Sequence, residues 1–209
     1  MYEPQLGTRY ARERGLQEAT YSLVGFVDDD NWIKRDWVAT AYEIMSSDRK
    51  LGALSSIRIP VSDVPLPSWF DQYHGAYGIL TDQQLEFTPT PPLFLPTGGL
   101  CVRVEAWREL VESGFRSQLA GRVGRDFSGG EDTELTIALR FRGWKLEINP
   151  RLRLRHFYPS TGCSGRTCAN CCATVTLLSL IAIPTIVWRW ALVCGASSAI
   201  GGAFNLDEP

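Results

Sequence analysis

Residues Leu23 to Val27 form a short apolar run, broken only by Gly25, that ends abruptly in Asp28-Asp29-Asp30. A run this short and this apolar reads as a buried strand that delivers three carboxylates to its C-terminal end. A buried strand needs covering layers, and the rest of the chain supplies them. Trp37, Val38, Ala41, Ile44 and Met45 recur at helical spacing, which predicts a helix over 34–47. Leu51 to Ile59 reads as a second strand, Gly99 to Val104 as a third, and Glu105 to Ser113 as a short helix. Glu131 to Arg142 is helical, with Leu135, Ala138 and Leu139 on one face and Gly143 as its stop. Trp144 to Ile148 follows as a strand. Arg151 to His156 then alternates strictly, with Leu152, Leu154 and His156 facing one way and the three arginines the other. Strands interleaved with helices indicate an α/β layered fold. Residues 60–96 hold seven of the twelve prolines together with Trp69, Phe70, Tyr73 and Tyr77. A long, irregular, aromatic stretch of this kind has the character of a binding loop.

Charge separates the chain into two parts. Of 44 charged side chains, 21 basic and 23 acidic, 40 lie in residues 1–159. Residues 160–209 carry only Arg166, Arg189, Asp207 and Glu208, and hold five of the six cysteines. The division expected is therefore a patterned domain over 1–159 and an apolar, cysteine-containing tail over 160–209. A net charge of −2 gives no basic excess for nucleic acid. The polar opening from Met1 to Arg14 lacks an apolar leader core, so a cytoplasmic, reducing compartment is expected, without a disulfide framework. Two readings of the tail stay open. Cys171 to Trp188 is uncharged and just long enough to span a bilayer, which would place the protein at the inner face of a membrane. Alternatively, residues from about Ser160 are out of frame, since codons for Pro159 to Ala173 exist that encode a charged amphipathic helix when read one base earlier. Cys168-x-x-Cys171-Cys172 has metal-type spacing, but no second pair or histidine follows it.

The acids carry the chemistry. On an extended segment Asp28 and Asp30 share one side and Asp29 takes the other. Two carboxylates converging at a strand end can hold a hard divalent cation that bridges phosphate oxygens, whereas the plain alternative is a solvated acidic turn. Glu131 and Asp132 follow Gly129-Gly130 and open a helix, where acids are common partners of the helix dipole; one of them is also suited to act as a general base. His156 is in phase with a buried face, either as a core residue or as the completion of a metal shell. Pro96-Thr97-Gly98-Gly99 is a turn suited to backbone contact with a sugar or phosphate.

In order, these pieces resemble the family 2 glycosyltransferases of the GT-A fold, from about Leu6 to His156. Gly7 to Leu16 is similar to the family's glycine-x-x-x-alanine-arginine-asparagine-x-glycine segment, with Glu13 where asparagine is usual. Phe26 to Asn31 matches its Asp-x-Asp motif, Pro96 to Val104 its acceptor-side glycine turn, and Gly130 to Leu135 its Glu-Asp catalytic helix. The resemblance implies a Rossmann-like nucleotide-diphospho-sugar transferase fold. It implies metal-assisted, inverting transfer of a sugar from a nucleotide-sugar donor to a saccharide or lipid-linked acceptor, in polysaccharide or glycoconjugate assembly. Asp132 would be the base and Glu131 would shape the acceptor site. Arg12, Asp28, Asp29, Gly98 and Gly99 would contact the donor. Asp30, with Asp28 and His156, would hold Mg²⁺ or Mn²⁺.

Two other classes compete. A phosphatase-type Asp-x-Asp site needs a small hydroxyl residue soon after Asp30, which Asn31-Trp32 does not supply. A non-enzymatic membrane-associated protein would rest on the tail alone. Only 27 residues precede Asp28, fewer than one βαβ unit requires. The expectation is a domain incomplete at its N-terminus, with an unpaired apolar edge on a parallel sheet, poor activity by itself, and completion by a partner chain.

Overall fold

The computed structural model describes residues 2–86, 88, 90–123 and 130–159. Helix α1 (Thr8–Glu18) precedes strand β1 (Leu23–Phe26), and β2 (Asn31–Ile33) leads into α2 (Trp37–Ser47) and β3 (Leu51–Ser62). Short helical pieces, α3 (Phe70–Tyr73), a 3-10 turn (His74–Tyr77) and α4 (Asp82–Leu85), punctuate the proline-rich loop. Then come β4 (Leu100–Arg103), α5 (Val104–Glu112), α6 (Glu131–Phe141) and β5 (Lys145–Tyr158).

The five strands form one sheet in the order β1-β4-β3-β5-β2. Period-2 alternation sorts each strand's side chains to its two faces, and helices cover both. Leu100 and Val102 of β4 join Ala53 and Leu146 under α1, α5 and α6, through Leu16, Trp107, Leu110 and Leu139. Cys101, between them, faces the other way with Leu54 and Leu152 against Trp37, Ala41, Ile44 and Met45 of α2. Burial pushes the Cys101 thiol up to about 12, so it is a packing group and not a nucleophile. A third cluster of Phe70, Tyr77, Ile79 and Tyr158 sits beneath the proline-rich loop.

The α/β layering follows the sequence, with three differences. The sheet is mixed: only β3 and β5 run parallel, while β1–β4, β3–β4 and β2–β5 are antiparallel. Strand β1 is half-buried, because it lies at the sheet edge of the described residues with β4 as its one neighbour. The two strands read over 144–148 and 151–156 are one long β5, and its pairing with β3 jumps from Ser56↔Asn149 to Ile57↔Arg153 at the Pro150 break. Among the described residues no helix is long and apolar enough to cross a membrane. The tail over 160–209, with its membrane, out-of-frame and cysteine readings, lies outside the described residues, as does Gly129.

Candidate active site

Strand β3 builds the floor of the site. From Leu51 to Ile59 its sequence is apolar except at Ser55, Ser56 and Arg58, all buried, and buried polar groups must find partners. They find them in the Pro96–Gly99 turn. Ser55 Oγ donates to Pro96 O (3.2 Å), Ser56 Oγ to Gly99 O (2.9 Å) and the Arg58 guanidinium to Gly98 O (3.3 Å). Arg58 also donates to Gly78 O and to Ser55 Oγ. Complete burial pushes its pKa down to about 10, opposed by Tyr158, Asp132 and Asp28, so it remains charged at neutral pH. The two glycines are required by packing: a Cβ on Gly99 (φ +71) would lie 2.4 Å from Leu154 Cδ2, and one on Gly98 would lie 3.1 Å from Arg58 Cδ.

With its carbonyls drawn inward, the turn offers Thr97 to Asp132. Thr97 N–H and Oγ1–H both reach Asp132 Oδ2 (3.0 and 3.2 Å), while Thr133 N–H binds Oδ1 (2.8 Å). Burial and the neighbouring Glu131 carboxylate push Asp132 above the ordinary carboxylate range. The N–H groups of Thr133 and Thr97, and the charge of Arg12, oppose that shift. Asp132 and Thr97 line a cavity of about 30 Å³, room for roughly one water. Gly130 (φ +106) makes the sharp entry into α6 that sets Glu131 and Asp132 in its first turn.

Helix α1 closes this cluster from across the chain. Arg12 donates to Glu131 Oε1 (2.5 Å) and to Thr97 Oγ1 (3.2 Å), and lies 3.7 Å from Asp28 Oδ1. Thr8 Oγ1 donates to the same Glu131 oxygen (2.7 Å). The approach is tight: a Cβ on Gly121 (φ +73) would stand 2.1 Å from Thr8 Oγ1. Arg12 thus joins the Asp28 end of β1 to the acids of α6.

Asp30 belongs to a neighbouring group. Residues 28–31 form a turn, closed by Asn31 N–H donating to Asp28 O (3.0 Å), and do not continue extended. Asp28 and Asp30 therefore acquire different partners, and Asp29 is exposed. Asn31 Nδ2 donates to Asp30 Oδ1 (2.7 Å), and His156 Nε2 stands 3.4 Å from Oδ2. His156 is placed there by the β2–β5 ladder, in which Asn31 pairs with His156, and by Phe157 N–H donating to Asp30 O (2.8 Å). The imidazole holds the Asp30 carboxyl below the usual carboxylate range. Trp32 and Phe157 stack beside this group, with ring centroids 5.4 Å apart, and Trp32 is exposed.

The sequence profile of glycosyl transferase family group 2 matches residues 23–194. The chain belongs to this family. The match spans the strand-end acids, the glycine turn and α6, and runs on into the tail. Among solved structures, the crystal structure of GalNAc-T7 with UDP, GalNAc and Mn²⁺ is similar over 75% of this chain and 31% of GalNAc-T7, at 19% identity and a TM-score of 0.50. The chain thus spans about a third of the length of that neighbour, which shares its GT-A fold. No curated protein sequence matches it.

Against this family background, the structure brings Arg12, Asp28, Glu131 and Asp132 into one network and Asp30 and His156 into the next. Thr8 and Arg58 were not singled out by sequence reasoning, and Thr97 entered only as part of a turn suited to backbone contact, not for its side chain. Arg58 had a legible signal, since a lone charge within an apolar strand must be buried with partners. Thr8 and Thr97 had none, because either residue is equally at home in a solvated turn.

Proposed function

We propose that this chain carries the reacting centre of a metal-assisted, inverting glycosyltransferase that moves a sugar from a nucleotide-diphosphate donor to an acceptor hydroxyl. The observation that carries this is the network in which Thr97 of the glycine turn holds the buried Asp132 and Arg12 ties that turn to Asp28 at the end of β1, with the half-exposed Asp30, on the adjoining turn, facing His156. The pKa of Asp132 is raised and that of Asp30 lowered. Two carboxylates pushed apart by their surroundings divide into a proton acceptor and a charge-holding group.

Asp132 takes the proton of the acceptor hydroxyl, whose oxygen bonds to the anomeric carbon as the bond from that carbon to the diphosphate oxygen breaks. A single displacement inverts the anomeric centre, and the electron pair leaves with the diphosphate. Glu131 shapes the acceptor side and is held by Arg12 and Thr8. Asp28, exposed beside Arg12, faces the donor, and Asp29, Gly98 and Gly99 complete the donor side.

Among the described residues no three His, Cys, Asp or Glu side chains are placed so that together they could hold a metal ion. Asp30 and His156 nevertheless fit a Mg²⁺ or Mn²⁺ ion, with Asp28 on the adjoining turn. Such ions bind through one or two protein groups and take their remaining ligands from water and substrate phosphates. When bound there, the ion would neutralise charge developing on the leaving diphosphate. GalNAc-T7, crystallised with UDP and Mn²⁺, supports a nucleotide donor and a divalent cation. A saccharide or lipid-linked acceptor in polysaccharide or glycoconjugate assembly completes the reading.

The test is nucleoside diphosphate release by the purified chain with Mn²⁺, nucleotide-sugars and saccharide acceptors. Release that needs both cation and acceptor, and is lost in Asp132→Asn while UDP still binds, is the expected result. Turnover unchanged by Asp132→Asn removes that residue from the mechanism.

A further inference from the structure

His156 has two ring nitrogens, and they face different partners. Nε2 looks toward Asp30 Oδ2 at 3.4 Å, while Nδ1 lies 2.8 Å from the Tyr158 hydroxyl. The two residues are neighbours on one face of β5, with ring centroids 4.4 Å apart. The Tyr158 hydroxyl is also hydrogen-bonded to the Tyr77 carbonyl oxygen. A carbonyl only accepts, so the phenol's single proton is committed to Tyr77. Toward His156 the phenol oxygen can then only accept, and Nδ1 must carry the hydrogen.

We propose that Tyr158 is a positioning residue that fixes His156 as the Nδ1–H tautomer and so presents the Nε2 lone pair toward Asp30. This rests on the cation site of the proposed function and assigns a residue to its outer layer. A lone pair and a carboxylate oxygen facing each other at 3.4 Å repel unless something positive lies between them. A divalent cation bound between them would supply that charge.

The acceptor that orients Tyr158 is itself rigid. Tyr77 ends the 3-10 turn of the proline-rich loop. Next to it Gly78 O accepts from the buried Arg58 guanidinium, and Arg58 N–H donates to Leu80 O (2.8 Å). The Tyr158 ring is locked edge-on against Phe70 and Tyr77, at 5.6 and 5.8 Å between centroids. The aromatic loop thereby serves the site, because it holds the hydroxyl that holds the histidine. Outer-shell partners of metal-bound histidines commonly act in this way, fixing both tautomer and ring orientation.

Histidine ring ¹⁵N spectroscopy tests the tautomer directly. The chain has two histidines, so a His74→Asn variant assigns the His156 signals. Neutral His156 is expected as Nδ1–H in the unmutated protein and as a mixture in Tyr158→Phe. Mn²⁺ affinity, measured by calorimetry with UDP present, should weaken on the order of tenfold in Tyr158→Phe and further in His156→Ala. An Nε2–H tautomer in the unmutated protein overturns the inference without any variant having to fold. Unchanged Mn²⁺ affinity in Tyr158→Phe alongside a loss in His156→Ala overturns it too, and leaves the cation site standing. Unchanged affinity in both His156→Ala and Asp30→Ala overturns the cation site itself and the inference with it.

Discussion

The two acidic groups of the site are built in opposite ways. Asp132 is enclosed: its oxygens accept from Thr97 and Thr133, and burial and Glu131 raise its pKa. Asp30 is half-open, with one oxygen pinned by Asn31 and the other facing an imidazole that lowers its pKa. Desolvation dominates where water is excluded, whereas a hydrogen-bonding partner dominates where water still reaches. In the proposed function these two settings divide the same side chain into a proton acceptor and a charged partner for a cation.

The contrast fixes opposite pH dependences. Asp30, depressed in the folded state, contributes stability that is present above its unfolded value of 3.8 and is lost as pH falls through the lower folded value. Asp132, raised, costs nothing below 3.8 and gives up stability as pH rises through its higher folded value.

The sharpest way to break the comparison is to neutralise each acid separately. Asp132→Asn should lower turnover about 10²–10⁴-fold in a steady-state assay, as loss of a general base does, with UDP affinity kept. Removing Arg12, which ties Asp28 to Glu131 and Thr97, should come next. Arg12→Ala leaves the Glu131 carboxylate, whose side chain is 10% exposed, without its charged partner and with Thr8 as a neutral donor. Thermal or denaturant unfolding should show a loss on the order of 2–3 kcal/mol. Asp30→Ala should weaken Mn²⁺ binding roughly tenfold or more while Asp132→Asn leaves it alone, since only Asp30 shares its position with the histidine. A subtler outcome is a pH shift. If Asp132 is the base, as proposed, its ionised form is the active one, and turnover should fall on acidification at a pH above that of an ordinary aspartate. Glu131→Gln removes the like charge and should move that limb to lower pH in a kcat/KM profile. Smallest is Arg151→Gln, which breaks an exposed pair with Glu43 on the outer side of β5 and should change neither unfolding nor turnover.

Much of this was legible along the chain. The apolar run into three acids, the glycine before α6 and the strict alternation of Arg151 to His156 each act over a few residues. Each reappears as β1, α6 and the end of β5. The extended reading of Asp28 to Asp30 was not kept, because a local hydrogen bond at Asn31 closes a turn there. The glycine turn was legible as a turn. Its role as the support of Asp132 depends on Ser55, Ser56 and Arg58, which the sequence places about forty residues upstream.

What the sequence determined by itself is therefore the set of elements and the chemical types at their ends, since backbone periodicity, capping and turn preferences act within a few residues. Which acid meets which partner was decided only in the tertiary structure. Arg12 reaches Glu131 across 119 positions, and His156 reaches Asp30 through the antiparallel register of β2 on β5. Those meetings depend on strand order and on how far each carboxylate is removed from water. Both are properties of the closed sheet and its covering helices, and no segment carries them alone.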